Sequence, residues 1–225
     1  MAANSAQAEL EGDMVPAANG AQATGRPVRL PRSARRKQLL AAAQQVFVAQ
    51  GYHAAAMDEI AEKAGVSKPV LYQHFPGKLE LYLALLDTHC DAMLARMHEA
   101  MAATTDNKQR IANAMQAYFD FIDHESEAFR LVFESDLRND NAVRERVVRV
   151  ETGCINVITD TIMADTGVSR ARAELLAAGL VGAAETAARF WLAGGRQVDK
   201  AEAERLMTSL AWRGIASFPL HGEQA

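Results

Sequence analysis

The chain has 225 residues, 49% of them apolar, and a formal charge of −4. That length allows one large domain, or a small domain joined to a medium one, with apolar content ample for a buried core. Cys90 and Cys154 set no disulfide framework, no run of 18 apolar residues suggests a membrane span, and the N-terminus lacks the basic start and apolar core of a secretory signal, so the cytoplasm is the expected compartment.

Charge is unevenly divided. Residues 26–90 hold nine Arg/Lys against five Asp/Glu, a net of +4, which leaves −8 for the rest. A basic front and an acidic body suit a protein whose first part meets phosphates and whose second does not. Residues 1–31 are rich in Ala, Gly, Gln and Pro and read as a disordered arm. Arg26, Arg29, Arg32, Arg35, Arg36 and Lys37 follow one another without an acid between them, so the arm's end and the start of the first helix could neutralise phosphate or remain solvated.

Ser33 is placed to cap a helix running to about Gln50, with Leu39, Leu40, Ala43, Val46 and Phe47 as its apolar stripe. Gly51 ends it. Met57, Ile60, Ala61 and Ala64 form the inner face of a second helix. Gly65 is the expected left-handed turn residue, with Val66 plugging the junction. Ser67 is expected to cap a third helix, with Pro69 in its first turn, where the missing N–H is tolerated. A long fourth helix spans Lys78 to about Ala100, with Leu79, Tyr82, Leu83, Leu86, Cys90, Met93, Leu94 and Met97 on its apolar side. Beyond a polar stretch at 102–107 the spacing stays helical. Met115, Tyr118, Phe119 and Ile122 share one face, and Phe129, Val132 and Phe133 follow on a shorter helix. Val143, Val147, Val150, Cys154, Ile158 and Ile162 mark another helix, and the last two are expected at about 170–193 and 200–216. The architecture is all-α, divided into a unit at 32–78, a connecting helix at 79–101 and a helical body at 102–220.

A break at Gly65 between two short helices is the pattern of a helix-turn-helix, whose second helix fits the major groove of DNA. Gln73 can donate and accept together and is a candidate base reader. Pro69 and Val70 could meet a thymine methyl, and Lys68 a base or phosphate. Tyr72 and His74 suit phosphate hydrogen bonds, and Lys78 and Arg32 suit phosphate contacts that position without specifying. Each has a plainer alternative: Tyr72 and His74 as packed residues, Lys68, Gln73 and Lys78 as solvated surface.

The stretch VFVAQGYHAAAMDEIAEKAGVSKPVLYQHFPGKLELY, residues 46–82, resembles the TetR family of bacterial transcriptional regulators. The resemblance implies a DNA-binding helix-turn-helix followed by a helical effector-binding and dimerisation domain. It assigns Gly51, Ile60, Ala61, Ala64, Gly65, Val66 and Ser67 to the framework of the turn, and Tyr72, His74, Phe75 and Lys78 to its phosphate-facing and core-locking end. The chain departs from the pattern at Ala55 and Ala56, where threonines are usual, and at Pro69, where glycine is common. TTDNKQRI at 104–111 and AYFDFIDHESEAFRLVFESD at 117–136 are further similar to an actinobacterial fatty-acid-synthesis subgroup, which implies a long-chain acyl-CoA effector and no cofactor.

Phe119, Phe129, Phe133, Cys154 and Ile158 are the candidate ligand contacts, though they could equally close a dry core. Arg130, Arg138 and Arg144 are loose candidates for the coenzyme head group. The small-residue run near Gly179 and Gly182, with Leu180, Ala184, Ala187 and Trp191, and then Leu206 and Leu210, is the candidate homodimer interface, suited to a palindromic operator. Two other readings share the same DNA reader: a drug-responsive repressor of an efflux gene, and a metal-responsive regulator using His89, His98 and His124. No metalloprotease, phosphate-loop or nucleophile pattern points to an enzyme.

Overall fold

A computed structural model describes residues 30–124, 137 and 140–214. Among the described residues there are eight helices and no strand: α1 (Arg32–Ala54), α2 (Met57–Lys63), α3 (Lys68–His74), α4 (Lys78–Ala102), α5 (Asn107–His124), α6 (Asn141–Thr166), α7 (Arg170–Ala193) and α8 (Lys200–Arg213). The arm at 1–29 and the short helix expected around Phe129 and Phe133 lie outside the described residues.

α1 buries Leu39, Ala42, Ala43, Val46 and Phe47, the spacing of one helical face. Ser33 does not cap it, because the helix already begins at Arg32. Gly51 adopts φ 78° and ψ 168°, a conformation only glycine enters without strain, and one further turn to Ala54 follows the break. Tyr52 thereby reaches the rings of Phe47 and Tyr82, which themselves meet edge-on at 5.1 Å. This aromatic knot fastens α1 to α4.

The turn between α2 and α3 has a defined geometry. Gly65 sits at φ 63°, its N–H donates to the Glu62 carbonyl, and the Val66 N–H donates to the Ala61 carbonyl. This pairing satisfies two orphan carbonyls and stops α2 sharply. Ser67 has the extended conformation of an N-cap but its hydroxyl makes no capping bond, so the expected cap is absent. The backbone bonds from Val70 and Leu71 to the Ser67 carbonyl start α3 instead. Leu71 and Phe75, 0% and 1% exposed, anchor α3, and the Arg36 guanidinium lies 4.4 Å from the Phe75 ring centre.

α4 packs on α1, α5 and α6. Its buried face is Leu81, Tyr82, Leu85, Leu86, His89, Cys90, Met93 and Met97, so Leu79, Leu83 and Leu94 of the expected face are only half-buried. Against α6 the seam has a polar edge and a tight apolar point. Arg149 contacts Asp87 at 3.2 Å and Asp91 at 3.0 Å, and Arg146 pairs with Asp87 at 3.0 Å. At Gly153 an added Cβ would stand 2.4 Å from a Leu94 methyl, so any larger residue there must push that side chain aside. α6 begins at Asp140, whose carboxylate accepts from the N–H groups of Ala142 and Val143, and ends at left-handed Gly167.

α5, α7 and α8 complete the body. Lys200 at the start of α8 binds Asp120 of α5 at 2.5 Å, and the Trp191 indole N–H donates to the Val198 carbonyl at 2.7 Å, pinning the α7–α8 turn. α7 carries apolar side chains all round. Ala173, Ala177, Val181, Ala184, Ala188 and Trp191 face the core, whereas Leu175 and Phe190 are 76% and 80% exposed. By length and composition alone α7 could also cross a membrane.

Candidate nucleic-acid interface and effector groove

α3 presents Lys68, Pro69, Tyr72 and Gln73 on its exposed side, with Val70 and His74 half-buried beside them. Tyr72 is 46% exposed, so its hydroxyl is not held in the core. Lys68 bridges Asp58 of α2 at 2.5 Å, with both side chains more than half exposed. A surface pair of this kind contributes little, and a phosphate can replace the carboxylate. Arg32 is exposed at the start of α1. His74 is held below the usual histidine range, first by burial and then by repulsion from Arg32, Arg36 and Arg35. These arginines therefore lie close enough to share its electrostatic field.

Lys78 requires a correction. Its ammonium donates to the carbonyls of His53 (3.0 Å) and Ala55 (2.9 Å) and lies 4.7 Å from the Tyr52 ring centre. Two of its three N–H groups thus brace the α1–α2 link, and it is not the free phosphate clamp expected of it. Ala56, at the N-cap of α2, offers no side-chain cap, as its replacement of a hydroxyl residue leads one to expect. Sequence reasoning missed Gln38, whose amide donates to the Ala64 carbonyl at 2.7 Å and ties α1 to the turn. No local pattern announces a bond between residues 26 positions apart.

The candidate ligand contacts divide. Phe119 is 1% exposed and packs edge-on against Trp191 at 5.5 Å. Cys154 is fully buried beside the Tyr118 hydroxyl, and burial pushes its thiol up to about 11. Both are buried in the core, and neither borders the cavity or the groove described next. Phe129 and Phe133, like Arg130 and Arg138, lie outside the described residues. Among the described three, Ile158 borders open space. It lines a small cavity of about 30 Å³ with Met97, Met101, Met115 and Tyr118. It also lines a groove of about 490 Å³ with Ile162, Leu175, Leu176 and Trp212. Met101, Ile111, Ile158 and Leu180 border both, so these side chains form the wall between groove and cavity. The cavity has room for about one water (roughly 30 Å³), while the groove is of the size that takes small molecules (about 300–1,000 Å³).

The candidate dimer residues divide as well. Ala184 and Trp191 are 3% and 8% exposed, buried in the chain's own core, so they offer no surface to a second copy. Leu180 and Ala187 are half-buried, and Leu206 and Leu210 are exposed. Leu175, Leu176 and Phe190, which the sequence did not single out for this role, form the larger exposed apolar area with Gly179, Gly182 and Ala183. Alternate 3.6-residue faces of an apolar helix look alike in sequence, and only packing tells them apart. Among the described residues no three His, Cys, Asp or Glu side chains gather as a metal site; His89 is buried and His98 exposed.

The arrangement has relatives. The family description for bacterial regulatory proteins of the tetR family matches residues 39–85, and that for the tetracyclin repressor-like C-terminal domain matches 107–214. The chain is 46% identical over 213 residues, 95% of each protein, to the HTH-type transcriptional activator FasR of Mycolicibacterium smegmatis. A TetR-like transcriptional regulator from Rhodococcus sp. RHA1 is similar in structure, with TM-score 0.65 and 29% identity over 84% of this chain and 100% of that one. The Bacillus subtilis regulator FadR, solved in complex with stearoyl-CoA, shares the fold at TM-score 0.64 and 21% identity, covering 80% of this chain and 98% of that one. A helix-turn-helix on α2–α3, an all-helical body carrying an apolar groove, and 46% identity to a transcription activator over nearly the full length converge: the chain belongs to the TetR family of bacterial transcription regulators, and is not an enzyme.

Proposed function

We propose that the protein is a cytoplasmic homodimer that binds a palindromic operator, controls genes of fatty acid or lipid biosynthesis, and responds to a long-chain acyl-CoA. The observation that carries this reading is the 46% identity with FasR, which runs through both the reader and the body. The stearoyl-CoA complex of the FadR fold relative and the apolar groove beside Ile158 support the effector class.

In this reading residues 32–78 read DNA, 79–101 connect, and 102–220 bind effector and partner. α3 enters the major groove. Gln73, Pro69, Val70 and Lys68 meet base edges, while Tyr72, His74 and Arg32 meet phosphates. Two readers about 34–36 Å apart match successive major-groove faces, and Leu175, Leu176, Phe190, Leu206 and Leu210 form the contact between copies.

An acyl chain entering the groove displaces Met101 and Met97, flexible side chains that repack at low cost. Both sit on α4, which is continuous from Lys78 to Ala102 and whose other end abuts the reader. A chain accepted better by one tilt of α4 than another shifts the population between them, and with it the spacing of the readers. Genome-wide occupancy tests the first half of the proposal: bound promoters should cluster at lipid-synthesis genes. Calorimetry with acyl-CoA of several chain lengths tests the second, and no saturable heat at any length would reject it.

A further inference from the structure

Beside the apolar groove lies a second depression of about 500 Å³ between α5 and α8, lined by Lys108, Glu204, Arg205, Thr208, Trp212 and Arg213 among others. Trp212 borders both depressions and is 45% exposed. We propose, building on the acyl-CoA reading, that this cleft holds the phosphorylated adenosine of coenzyme A while the thioester's acyl chain occupies the adjoining groove.

The chemistry of the two depressions is complementary to an amphiphile. The groove is bordered by Ile111, Ile158, Ile162, Leu175, Leu176 and Leu180. Cations near its rim are already engaged: Arg110 binds Asp165 at 2.6 Å, Asn107 and the Thr104 carbonyl, and Arg170 binds Asp160 at 2.8 Å and Glu174. In the cleft, by contrast, Lys108, Arg205 and Arg213 make no side-chain hydrogen bond or ion pair among the described residues. Unengaged cations converging beside an exposed indole suit an aromatic ring bearing phosphates: the guanidinium forks take phosphate oxygens, and the ring stacks on the indole.

Glu204 is the acid of the cleft, and its Oε1 is buried without a hydrogen-bond partner. Burial, and next the nearby Asp120, raise its carboxyl from the ordinary glutamate value. Leu206 and Leu210 precede Thr208 and Trp212 by two positions each, about 200° around a helix, whereas Arg213 lies one helical repeat beyond Leu206 and shares its flank of α8, so the cleft borders the proposed dimer contact along its Arg213 edge.

The experiment is calorimetric titration of the full chain with palmitoyl-CoA, palmitate and adenosine 3′,5′-bisphosphate. Wild type should bind palmitoyl-CoA, with the bisphosphate competing weakly and palmitate binding less tightly. Lys108→Ala and Arg205→Ala should each weaken palmitoyl-CoA by about tenfold or more, the effect of losing a hydrogen bond to a charged group, and leave palmitate unchanged. Arg205→Lys should keep part of the affinity, and Arg172→Ala, an exposed cation on α7, should keep all of it. Trp191 is buried, so quenching of indole fluorescence by the bisphosphate should come from Trp212 and vanish in Trp212→Phe, a variant that preserves an aromatic side chain if larger changes unfold the helix. Wild-type affinity for palmitoyl-CoA in the Lys108→Ala, Arg205→Ala double variant overturns this inference and leaves the effector reading standing. Failure of the wild type to bind any acyl-CoA overturns the effector reading instead.

Discussion

Tyr72 and Gln73 are neighbours on α3, both exposed, yet the chemistry of their tips separates their roles. A phenol donates to any phosphate, whereas an amide can pair two ways with an adenine edge. Tyr72→Phe should weaken binding to many DNA sequences alike. Gln73→Ala should flatten preference at particular base pairs by about 1–3 kcal/mol. A competition assay over randomised operators separates the two, and an unchanged preference profile for Gln73→Ala rejects its reading role. His74 yields a pH prediction. Its folded value lies below the ordinary 6.5, so the neutral ring is favoured in the free protein, and that contribution to stability is lost as pH falls through the folded value. A phosphate placed on the ring favours the charged form instead. DNA affinity should therefore rise as pH drops below about 6.5, and His74→Gln should remove that dependence, read by anisotropy titration from pH 5.5 to 8. Lys78 is a reminder that a residue's type does not assign its partner: the same ammonium that suits a phosphate is bound here to two carbonyls.

At the scale of helices, the α4–α6 seam joins the long helix that follows the helix-turn-helix to the C-terminal body. Gly153 is permissive there because a Leu94 methyl occupies the place of its Cβ. Gly153→Ala removes backbone entropy from the unfolded chain but forces Leu94 aside, and overpacking of this kind costs about 1–3 kcal/mol. The variant should melt lower, and adding Leu94→Ala should recover part of the loss, a coupling that a double-mutant cycle measures. The turn between α2 and α3 was legible in sequence, because a left-handed residue leaves glycine as a local signature at Gly65. The Gly153 contact was not, since nothing near Gly153 in sequence mentions Leu94. The absent Ser67 cap shows the converse: the residue type was right and the bond did not form, because Pro69 has no N–H to give and the Val70 N–H goes to the Ser67 carbonyl.

For the whole molecule the exposed apolar face of α7 is decisive. Leu175, Leu176 and Phe190 form an area that water does not favour, and a second copy turning the same face toward it buries both. Phe190→Glu should shift the protein from dimer toward monomer in sedimentation velocity, weaken operator binding sharply and leave the helical content unchanged. A dimer of unaltered stability would remove this face from the interface.

The order of helices, the helix-turn-helix and the candidate base-reading residues are local properties: periodicity, one left-handed glycine and one proline are written within a few residues of each other, so the chain alone determined them. Which apolar residues close the core and which stay outside was decided only in three dimensions. Phe119, Cys154, Ala184 and Trp191 went inward, and Phe190 and Leu175 outward, because hydrophobic burial is non-directional and depends on which helix arrives as neighbour. The groove beside Ile158 and the basic cleft at Trp212 arise in the same way, where α5, α6, α7 and α8 fail to fill the space between them.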